Sequence, residues 1–404
     1  MVRPERRTTA DMVAAAAISV VVAVAAALIW WTSDARATIS RPAAQLPATP
    51  LPAREIPVSL HQLWSAPSAA TTRPIVVSGR VVTGEGREVD GRDPATGEVR
   101  WSYSRDSDLC AVSWVYRYAV AVYRDGRGCG QVSTIDAATG RRGPARTGYA
   151  DDHVDVRSDG TTVLSAGDTR LELWRSDMVR MLSYGETDAR VKPSARGLHS
   201  GCTLVSAAAS SSAVAVLEAC GPQRGLRLVL LRPAKEEDEP EQRVVPVPGV
   251  SADSGARVLT VSETTTAVYL PLPTPRVEVI DETGTTVAST LLPHPAGPST
   301  AVSRPGNLVS WWTGDAVLVF DAANLTYRYT IAGAGAAAPI GPAATMAGRL
   351  LVPVTGGLGV FDPASGANER YVPVSRAPVR SAVIPAVSGS RVFEQRGGVV
   401  VALG

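Results

Sequence analysis

Net charge, histidine and recognisable catalytic motifs are all scarce in this chain of 404 residues. Its 40 basic and 38 acidic side chains leave a net charge of +2, which gives no electrostatic footprint for a nucleic-acid backbone, so no nucleic-acid partner is predicted. The motifs G-x-S-x-G and H-E-x-x-H and the P-loop do not occur, which removes the motif-based case for serine hydrolases, zinc proteases and nucleoside triphosphatases. The four histidines are scattered along the chain: His61, His153, His199 and His294.

Helical periodicity is absent after residue 60, whereas turn-forming residues are abundant, with 36 glycines and 30 prolines. One turn phrase recurs, as RDPATGEVRW at 92–101, IDAATGRR at 135–142 and FDPASGANERY at 361–371. Its Asp can accept hydrogen bonds from backbone N–H groups two residues on, and its Gly takes a positive φ without a Cβ clash. The phrase therefore predicts a β-hairpin turn, and we interpret its aspartates as turn caps instead of catalytic groups.

Weaker copies of this phrase place turn markers along most of the chain, separated by 43, 41, 56, 48, 40 and 41 residues. A unit in the low forties that contains several short strands predicts a β-propeller blade. The long fourth unit contains the acidic stretch 235–241, which we interpret as a solvated loop between two outer strands. The markers are residues 93, 136, 177, 233, 281, 321 and 362.

The two ends of the repeat region predict a closed ring. Residues 383–404 resemble three strands of a blade without its outer strand, and His61–Ser65 is a strand without a preceding blade. Joining them completes an eighth blade and removes an exposed sheet edge. The predicted fold is therefore all-β, a propeller of eight blades over residues 58–404. Seven blades is the alternative, because the markers at 177 and 233 are degenerate.

An uncharged and almost entirely apolar run of nineteen residues, 13–31, precedes the propeller. As a helix it is long enough to span a hydrocarbon core of about 30 Å, so it predicts a single transmembrane anchor. Arg3, Arg6 and Arg7 come before it. They predict that the tail 1–12 stays in the cytoplasm and that the propeller lies on the outer side of the plasma membrane.

Two further features of the N-terminal region concern how the propeller is held. Residues 32–57 contain five prolines and predict an extended, semi-rigid stalk. Residues 35–37, Ala-Arg-Ala, fit the A-x-A pattern of a cleavage site, so a cleaved signal peptide is the alternative to a retained anchor. The apolar run is longer than a usual signal core, which favours the retained anchor.

The four cysteines agree with export to an oxidising compartment. Cys110 and Cys129 are nineteen residues apart, Cys202 and Cys220 are eighteen apart, and each pair brackets a strand, a short turn and a second strand. An antiparallel hairpin brings the ends of such a segment together. Two local disulfides are therefore predicted, each contributing roughly 3 kcal/mol in the chain-entropy model. A four-cysteine zinc site is the weaker alternative, since no C-x-x-C pair occurs, and no metal site is predicted.

Three tryptophans are the candidate ligand-binding residues. Trp311 and Trp312 in LVSWWTGDAVLVF point to opposite faces of one predicted strand, and Trp114 lies in the comparable stretch VSWVYRYAV. Burial between blades is one role for such rings, and lining a groove for a lipid or a partner is the other. The cluster 151–153, Asp-Asp-His, could ligate a metal, but we favour its interpretation as a polar loop between blades.

The Asp-x-x-Thr-Gly turn followed by Trp101 resembles the PQQ-type, or quinoprotein-like, β-propeller repeat, and the similarity extends over residues 61–404. Quinoprotein dehydrogenases of that family use adjacent cysteines and a carboxylate-bound Ca²⁺ beside the cofactor. This chain has no adjacent cysteines. The resemblance therefore implies the scaffold without the cofactor, and no cofactor is expected. A quinoprotein-like enzyme is kept as an alternative function.

The segment IWWTSDARATISRPA at 29–43 is similar to the anchor region of the polar growth factor A family, which are membrane-anchored propellers of mycolic-acid bacteria. That resemblance implies a role in cell-envelope growth, with trehalose monomycolate and the RND-type transporter that exports it as partners. We therefore expect a non-enzymatic envelope factor, held at the inner membrane, that binds an envelope glycolipid or its lipid transporter. A protein–protein scaffold for envelope assembly is the alternative.

Overall fold

Eight antiparallel sheets form an eight-bladed β-propeller in the computed structural model, which confirms the predicted fold. The structure describes residues 8–186, 201–221, 225–236, 239–377, 379 and 381–404. Each sheet is one blade, and its strands run in order from the axis outward. From blade 1 to blade 5 and from blade 7 to blade 8, the innermost strands of neighbouring blades contact each other around the axis, and those of blades 1 and 8 close the ring.

Four strands that follow one another from the axis outward make up the body of each blade. Blades 1 to 4 contain Ile75–Val77, Arg80–Glu85, Glu88–Arg92 and Val99–Ser104; Leu109–Val115, Tyr118–Asp125, Gly128–Asp136 and Arg142–Thr147; Asp155–Ser158, Thr162–Ala166, Arg170–Arg175 and Arg180–Gly185; and Cys202–Ala209, Val214–Cys220, Gly225–Arg232 and Glu241–Ser251. Blades 5 to 8 contain Arg257–Val261, Thr265–Leu270, Arg276–Asp281 and Thr286–Leu291; Ala301–Ser303, Leu308–Trp312, Val317–Asp321 and Tyr327–Ile331; Ala344–Met346, Arg349–Val354, Gly357–Phe361 and Asn368–Pro373; and Val383–Ser388, Arg391–Arg396, Val399–Leu403 and Gln62–Pro67.

Other regular elements lie mainly in the N-terminal region. A long helix covers Thr9–Thr32 and begins four residues before the apolar run. Its start is fixed by a capping box, in which the Thr8 hydroxyl accepts a hydrogen bond from the Asp11 N–H and the Asp11 carboxylate accepts one from the Thr8 N–H. The remaining elements are the short helix Asp34–Ala37, the strand Ile39–Arg41 and the 3₁₀ turn Gly335–Ala337.

The turn phrase and its weaker copies lie between the third and outer strands of blades 1 to 7, as the repeat predicted. In blade 1 the Asp93 carboxylate accepts hydrogen bonds from the N–H groups of Ala95 and Thr96, at 2.9 and 3.2 Å. Gly97 closes the turn with φ at +74°. The acidic stretch 235–241 occupies the same turn of blade 4, although residues 237 and 238 lie outside the described part of the chain.

An aromatic latch joins several neighbouring blades. By this term we mean an aromatic ring on an outer strand that donates a hydrogen bond to the carbonyl after the turn aspartate of the next blade. The Trp64 indole donates to the Pro94 carbonyl at 3.2 Å, and the Trp101 indole donates to the Ala137 carbonyl at 2.7 Å. The ring covers the turn glycine so closely that a Cβ on Gly97 would lie 2.7 Å from Trp64. The phrase therefore also holds blades together.

The N-terminal strand completes blade 8, as predicted from the incomplete ends of the repeat. Gln62–Pro67 pairs antiparallel with Val399–Leu403. His61 and Gly404 exchange two backbone hydrogen bonds of 3.1 Å just beyond this ladder. The first and last residues of the propeller are therefore tied into one sheet.

The structure differs from the predicted stalk, because residues 39–60 are bound to the propeller. We call this segment the strap. Ile39–Arg41 adds a fifth strand to the edge of blade 1, and further along the Arg370 guanidinium donates to the Ile56 carbonyl at 2.6 Å. Ile56 and Leu60 are buried in the core between blades 7 and 8. The prolines keep the strap extended, but its unpaired carbonyls and its apolar side chains find partners on the ring.

Both disulfides are present, although one of them spans more than the predicted hairpin. Cys202 and Cys220 face each other on adjacent strands of blade 4, with Cα atoms 4.4 Å apart. Cys110 lies on the innermost strand of blade 2 and Cys129 on the third, so this bond crosses the intervening strand, with Cα atoms 6.0 Å apart. The spacing predicted the pairing, but the first segment contains two turns because the strands of a blade are short.

Replacing Cys202 and Cys220 together by serine should lower the free energy of unfolding by about 3 kcal/mol, because the disulfide no longer restricts the unfolded chain. Urea unfolding of the full-length protein in detergent, followed by tryptophan fluorescence, measures this loss. The matched double variant at Cys110 and Cys129 closes a loop of nearly equal length and should lose a similar amount. Losses below about 1 kcal/mol in both variants would contradict the expected contribution.

Candidate ligand-binding channel

A cavity of about 610 Å³ lies at the centre of the ring, where innermost strands from several blades converge. Its lining combines hydroxyl-bearing and apolar side chains, together with six charged residues. Four of these are arginines and two are aspartates, which leaves an excess of two positive charges. The charged residues are Arg73, Arg157, Arg257, Arg304, Asp155 and Asp159.

Arg73 reaches across the channel. It lies in the segment that leads into the innermost strand of blade 1, yet its guanidinium donates to the Val302 carbonyl of blade 6 at 3.1 Å. Arg73 is exposed to the cavity, and desolvation by the surrounding strands lowers the pKa of its guanidinium. The positive charges of Arg157 and Arg304 lower that pKa further, while Asp155 opposes the effect. Arginines from different blades therefore repel one another electrostatically in the channel.

Arg257 and Arg304 are positioned by neutral groups of blades 5 and 6. The Arg257 guanidinium donates to the Thr300 hydroxyl at 2.7 Å, and the Arg304 guanidinium donates to the Thr260 hydroxyl at 2.5 Å. Desolvation is the largest influence on both groups and lowers the pKa of each guanidinium, while the negative charge of Asp159 opposes this effect at Arg304. In the part of the chain that the structure describes, neither arginine forms an ion pair with a carboxylate.

The two aspartates of the channel already have partners. Asp155 forms an ion pair with Arg157, whose Nε lies 2.6 Å from the carboxylate. Asp159 caps the turn after the innermost strand of blade 3 and accepts from the N–H groups of Thr161 and Thr162, at 2.8 and 2.7 Å. Within the described channel lining, no carboxylate is therefore hydrogen-bonded to Arg73, Arg257 or Arg304, although Asp155 and Asp159 act electrostatically on Arg73 and Arg304.

Only one of the three candidate tryptophans lines the channel. Trp114 is half-buried near the end of the innermost strand of blade 2, and its ring approaches Gly160 of blade 3 so closely that a Cβ there would lie 2.9 Å from it. An innermost strand has one neighbour in its own sheet and an edge towards the axis. Side chains at such positions can reach the cavity.

Trp311 and Trp312 lie between blades and not on the channel, which corrects the expectation that they line a groove. Trp311 is fully buried, with its ring centroid 5.2 Å from that of Tyr269. Trp312 is 7 % exposed, and its indole donates to the Pro339 carbonyl at 3.0 Å. They belong to the second strand of blade 6, where neighbouring blades cover both faces of the sheet. The two side chains point to opposite faces of the strand, and both faces are covered, so both rings are buried.

The polar cluster at 151–153 has a structural role at its first residue. The Asp151 carboxylate accepts from the Thr169 N–H at 2.8 Å and joins the start of blade 3 to its own second hairpin. His153 is exposed, and His199 lies outside the described residues.

One group of potential metal ligands occurs in the described residues: Cys202, Glu218 and Cys220. The two sulfur atoms are bonded to each other in a disulfide and offer no thiolates. This agrees with the interpretation of these cysteines as a disulfide pair.

The channel arginines were missed by sequence reasoning. Arginine supplies nearly all the basic residues of this chain, and the channel arginines occupy different positions in their respective repeats. Arg73 lies in the segment before the first strand of its blade, but no sequence pattern distinguishes it from the arginines on the surface.

No protein-family model matches the sequence, and no curated protein matches it. Among solved structures, BamB from Moraxella catarrhalis is similar with a TM-score of 0.50 and 15% identity, covering 85% of this chain and 99% of that one. The dihydro-heme d1 dehydrogenase NirN in complex with DHE has a TM-score of 0.47 and 16% identity, covering 89% and 73%. The Neurospora crassa Pan2 WD40 domain has a TM-score of 0.44 and 12% identity, covering 74% and 89%. At such low identity, the likeness to BamB shows the propeller fold alone.

Proposed function

We propose that this chain is a membrane-anchored propeller on the outer side of the plasma membrane that binds another component of the cell envelope and catalyses no reaction. The observation that carries the proposal is the stretch Thr9–Trp31 of the N-terminal helix, which is apolar, long enough to span a bilayer and not buried against the propeller. Two disulfides in the propeller support an oxidising compartment for that domain.

The tether between the helix and the ring is short. Only residues 33–38 separate the end of the helix at Thr32 from the strap strand Ile39–Arg41. Six residues span at most about 20 Å, so the edge of blade 1 stays close to the membrane surface. The Arg36 guanidinium lies 3.8 Å from the centre of the Trp31 ring, an interaction suited to a membrane interface. Short reach restricts the partners to molecules in or near the membrane.

As the partner we propose an envelope glycolipid such as trehalose monomycolate, or the RND-type transporter that moves it. Two observations support this choice: the resemblance of segment 29–43 to anchored propellers of mycolic-acid bacteria, and the short tether, which keeps the ring where such lipids emerge. The polar and cationic channel suits a headgroup better than an acyl chain.

A protein–protein scaffold is the second candidate, and the outer strand of blade 4 favours it. Glu241–Ser251 is eleven residues long, and most of its side chains are exposed. It is the edge strand of its sheet, and such an edge can accept an added strand from another protein.

Native mass spectrometry of the detergent-extracted, full-length protein, with identification of bound lipid, tests the proposed partner. A co-extracted glycolipid supports the lipid. A photo-crosslinker in place of Val244 on the outer strand of blade 4, or of Val287 on that of blade 5, tests for a transporter or another protein in cells; both side chains are exposed. Absence of a glycolipid, together with no transporter captured at either position, would contradict this partner assignment.

The orientation can be tested separately. Arg3, Arg6 and Arg7 before the helix predict a cytoplasmic N-terminus. Protease added to intact spheroplasts should therefore degrade the propeller, while an epitope fused before Met1 is protected until the membrane is opened. Cytoplasmic marker proteins that stay intact provide the control. A protected propeller together with a cleaved epitope would show the opposite orientation.

A further inference from the structure

The described lining of the central channel contains more arginines than carboxylates, and most of these arginines are not in ion pairs. Arg73, Arg257 and Arg304 have no carboxylate partner among the described residues, whereas Arg157 is paired with Asp155. Guanidinium groups stay charged in proteins, so these three positive charges are present in the channel. Asp155 and Asp159 offset these charges only in part, so the excess positive charge of the channel would attract an anion.

The three guanidinium groups also keep most of their hydrogen-bond donors available. Each has five N–H donors in a planar fork. Arg73 uses one nitrogen on the Val302 carbonyl, and Arg257 uses two, on the Gly255 carbonyl and the Thr300 hydroxyl. Arg304 uses a single nitrogen for both of its acceptors. All of these acceptors are neutral. The geometry therefore holds each side chain in place without satisfying its charge.

We propose that the channel is a binding site for a phosphate-bearing organic ligand, held by Arg73, Arg257 and Arg304. Planar forks that bind oxyanions through two parallel hydrogen bonds are the preferred partners of phosphate. A volume of about 610 Å³ lies within the range of small-molecule sites and exceeds what a bare phosphate needs. Trp114 lines the same cavity and offers an apolar face to the organic part of the ligand. The site does not depend on the proposed function, because its residues face the axis and not the outer surface.

Binding is tested with the full-length protein in a neutral detergent at low ionic strength. Isothermal titration measures affinity for sn-glycerol 3-phosphate, with inorganic phosphate as the second soluble probe. Arg73→Gln, Arg257→Gln and Arg304→Gln should each weaken binding by about tenfold or more. The matched control is Arg141→Gln on an exposed turn of blade 2, which removes the same charge and should change affinity less than about twofold. Arg304→Lys keeps the charge but loses the fork, so its affinity should fall between wild type and Arg304→Gln.

A second arm distinguishes a free ligand from a lipid headgroup. The protein is placed in nanodiscs of phosphatidylcholine with phosphatidylglycerol, and retained lipid is identified by native mass spectrometry. Binding of a soluble probe that the channel variants lose supports a free phosphate compound. Retention of phosphatidylglycerol alone, again lost in the channel variants, supports a headgroup. Either result supports the phosphate site.

The proposal is overturned if wild type binds no probe and retains no phosphatidylglycerol, or if Arg141→Gln weakens binding as much as the channel variants. Thermal unfolding without ligand shows whether each variant is folded. If Arg304→Gln is not folded, the result for Arg73→Gln decides, since among the described residues that substitution removes only the hydrogen bond to the Val302 carbonyl.

Discussion

Deletion of residues 58–66 should destabilise the whole propeller and not merely fray one blade. The deleted segment contains most of the strand Gln62–Pro67, which pairs with Val399–Leu403 and completes blade 8. It also removes Trp64, whose ring is 9 % exposed, latches onto blade 1 and packs 6.1 Å from the Phe393 ring. Removing a buried tryptophan alone costs about 3–5 kcal/mol. With an opened sheet edge in addition, the loss is comparable to the total stability of many domains.

Circular dichroism and differential scanning calorimetry of the full-length protein in detergent measure the effect. We expect the main thermal transition to move down by more than 10 °C or to disappear, where about 1 kcal/mol corresponds to roughly 2–4 °C for a large domain. Ser40→Pro is the control, because it disrupts only the strand Ile39–Arg41, which lies on the outer edge of blade 1 and closes nothing. An unchanged transition in the deletion variant would show that ring closure contributes little to stability.

Glu394→Gln should have the second-largest effect. The Glu394 side chain is fully buried, and its carboxylate accepts from Arg376 at 2.6 and 2.9 Å and from Arg396 at 2.8 Å. Arg376 also donates to the carbonyls of Val354 and Gly357 in blade 7, both at 2.9 Å. The substitution leaves two arginines in buried positions without their anion. A loss of about 3–5 kcal/mol is expected when one member of a buried ion pair is removed.

A matched substitution on the surface separates burial from charge. Glu369→Gln breaks the pair between Glu369 and Arg349, whose Nε lies 2.7 Å from the carboxylate, but these side chains are 38 % and 41 % exposed. Such pairs contribute about 0–1 kcal/mol. Urea unfolding of both variants should therefore give a much larger change for position 394. Equal changes at the two positions would contradict the assigned role of the buried cluster.

Local turn chemistry and the repeat period made the fold predictable from the sequence. Asp93 and Gly97 fix their turn through contacts within five residues, so the same phrase marks the same turn wherever it recurs. Ring closure followed from the incomplete blade at the C-terminus and the unpaired strand at 61–65. The aromatic latch was also accessible in part, since Trp64 and Trp101 each occupy the outer strand that precedes a turn phrase. The latch appears in the sequence only when a tryptophan of one repeat is compared with the turn phrase of the next repeat, and not as a motif within a single repeat.

The channel and the strap could not be predicted in this way, because both depend on contacts between residues far apart in the chain. Arg73 and Val302 are separated by 229 positions, and nothing in either local sequence refers to the other. Proline content predicted the extended backbone of the strap but not its partners. Trp311 shows a related limit. Alternation on a strand identifies two faces, but only the stacking of blades determines that both are covered.

The path of the strap has a mechanical consequence for the closed ring. From residue 39 it runs along the edge of blade 1, contacts Arg80 through the Gln45 carbonyl, passes Gly389 of blade 8 and reaches Arg370 of blade 7 before it enters the closing strand. Tension applied through the N-terminal helix would therefore enter at the edge of blade 1 and would have to shear the strap's contacts with blades 1, 8 and 7 before it pulled on Gln62–Pro67. Movement of the N-terminal helix relative to the ring would therefore load the contacts of the strap first and the strand that closes the ring last.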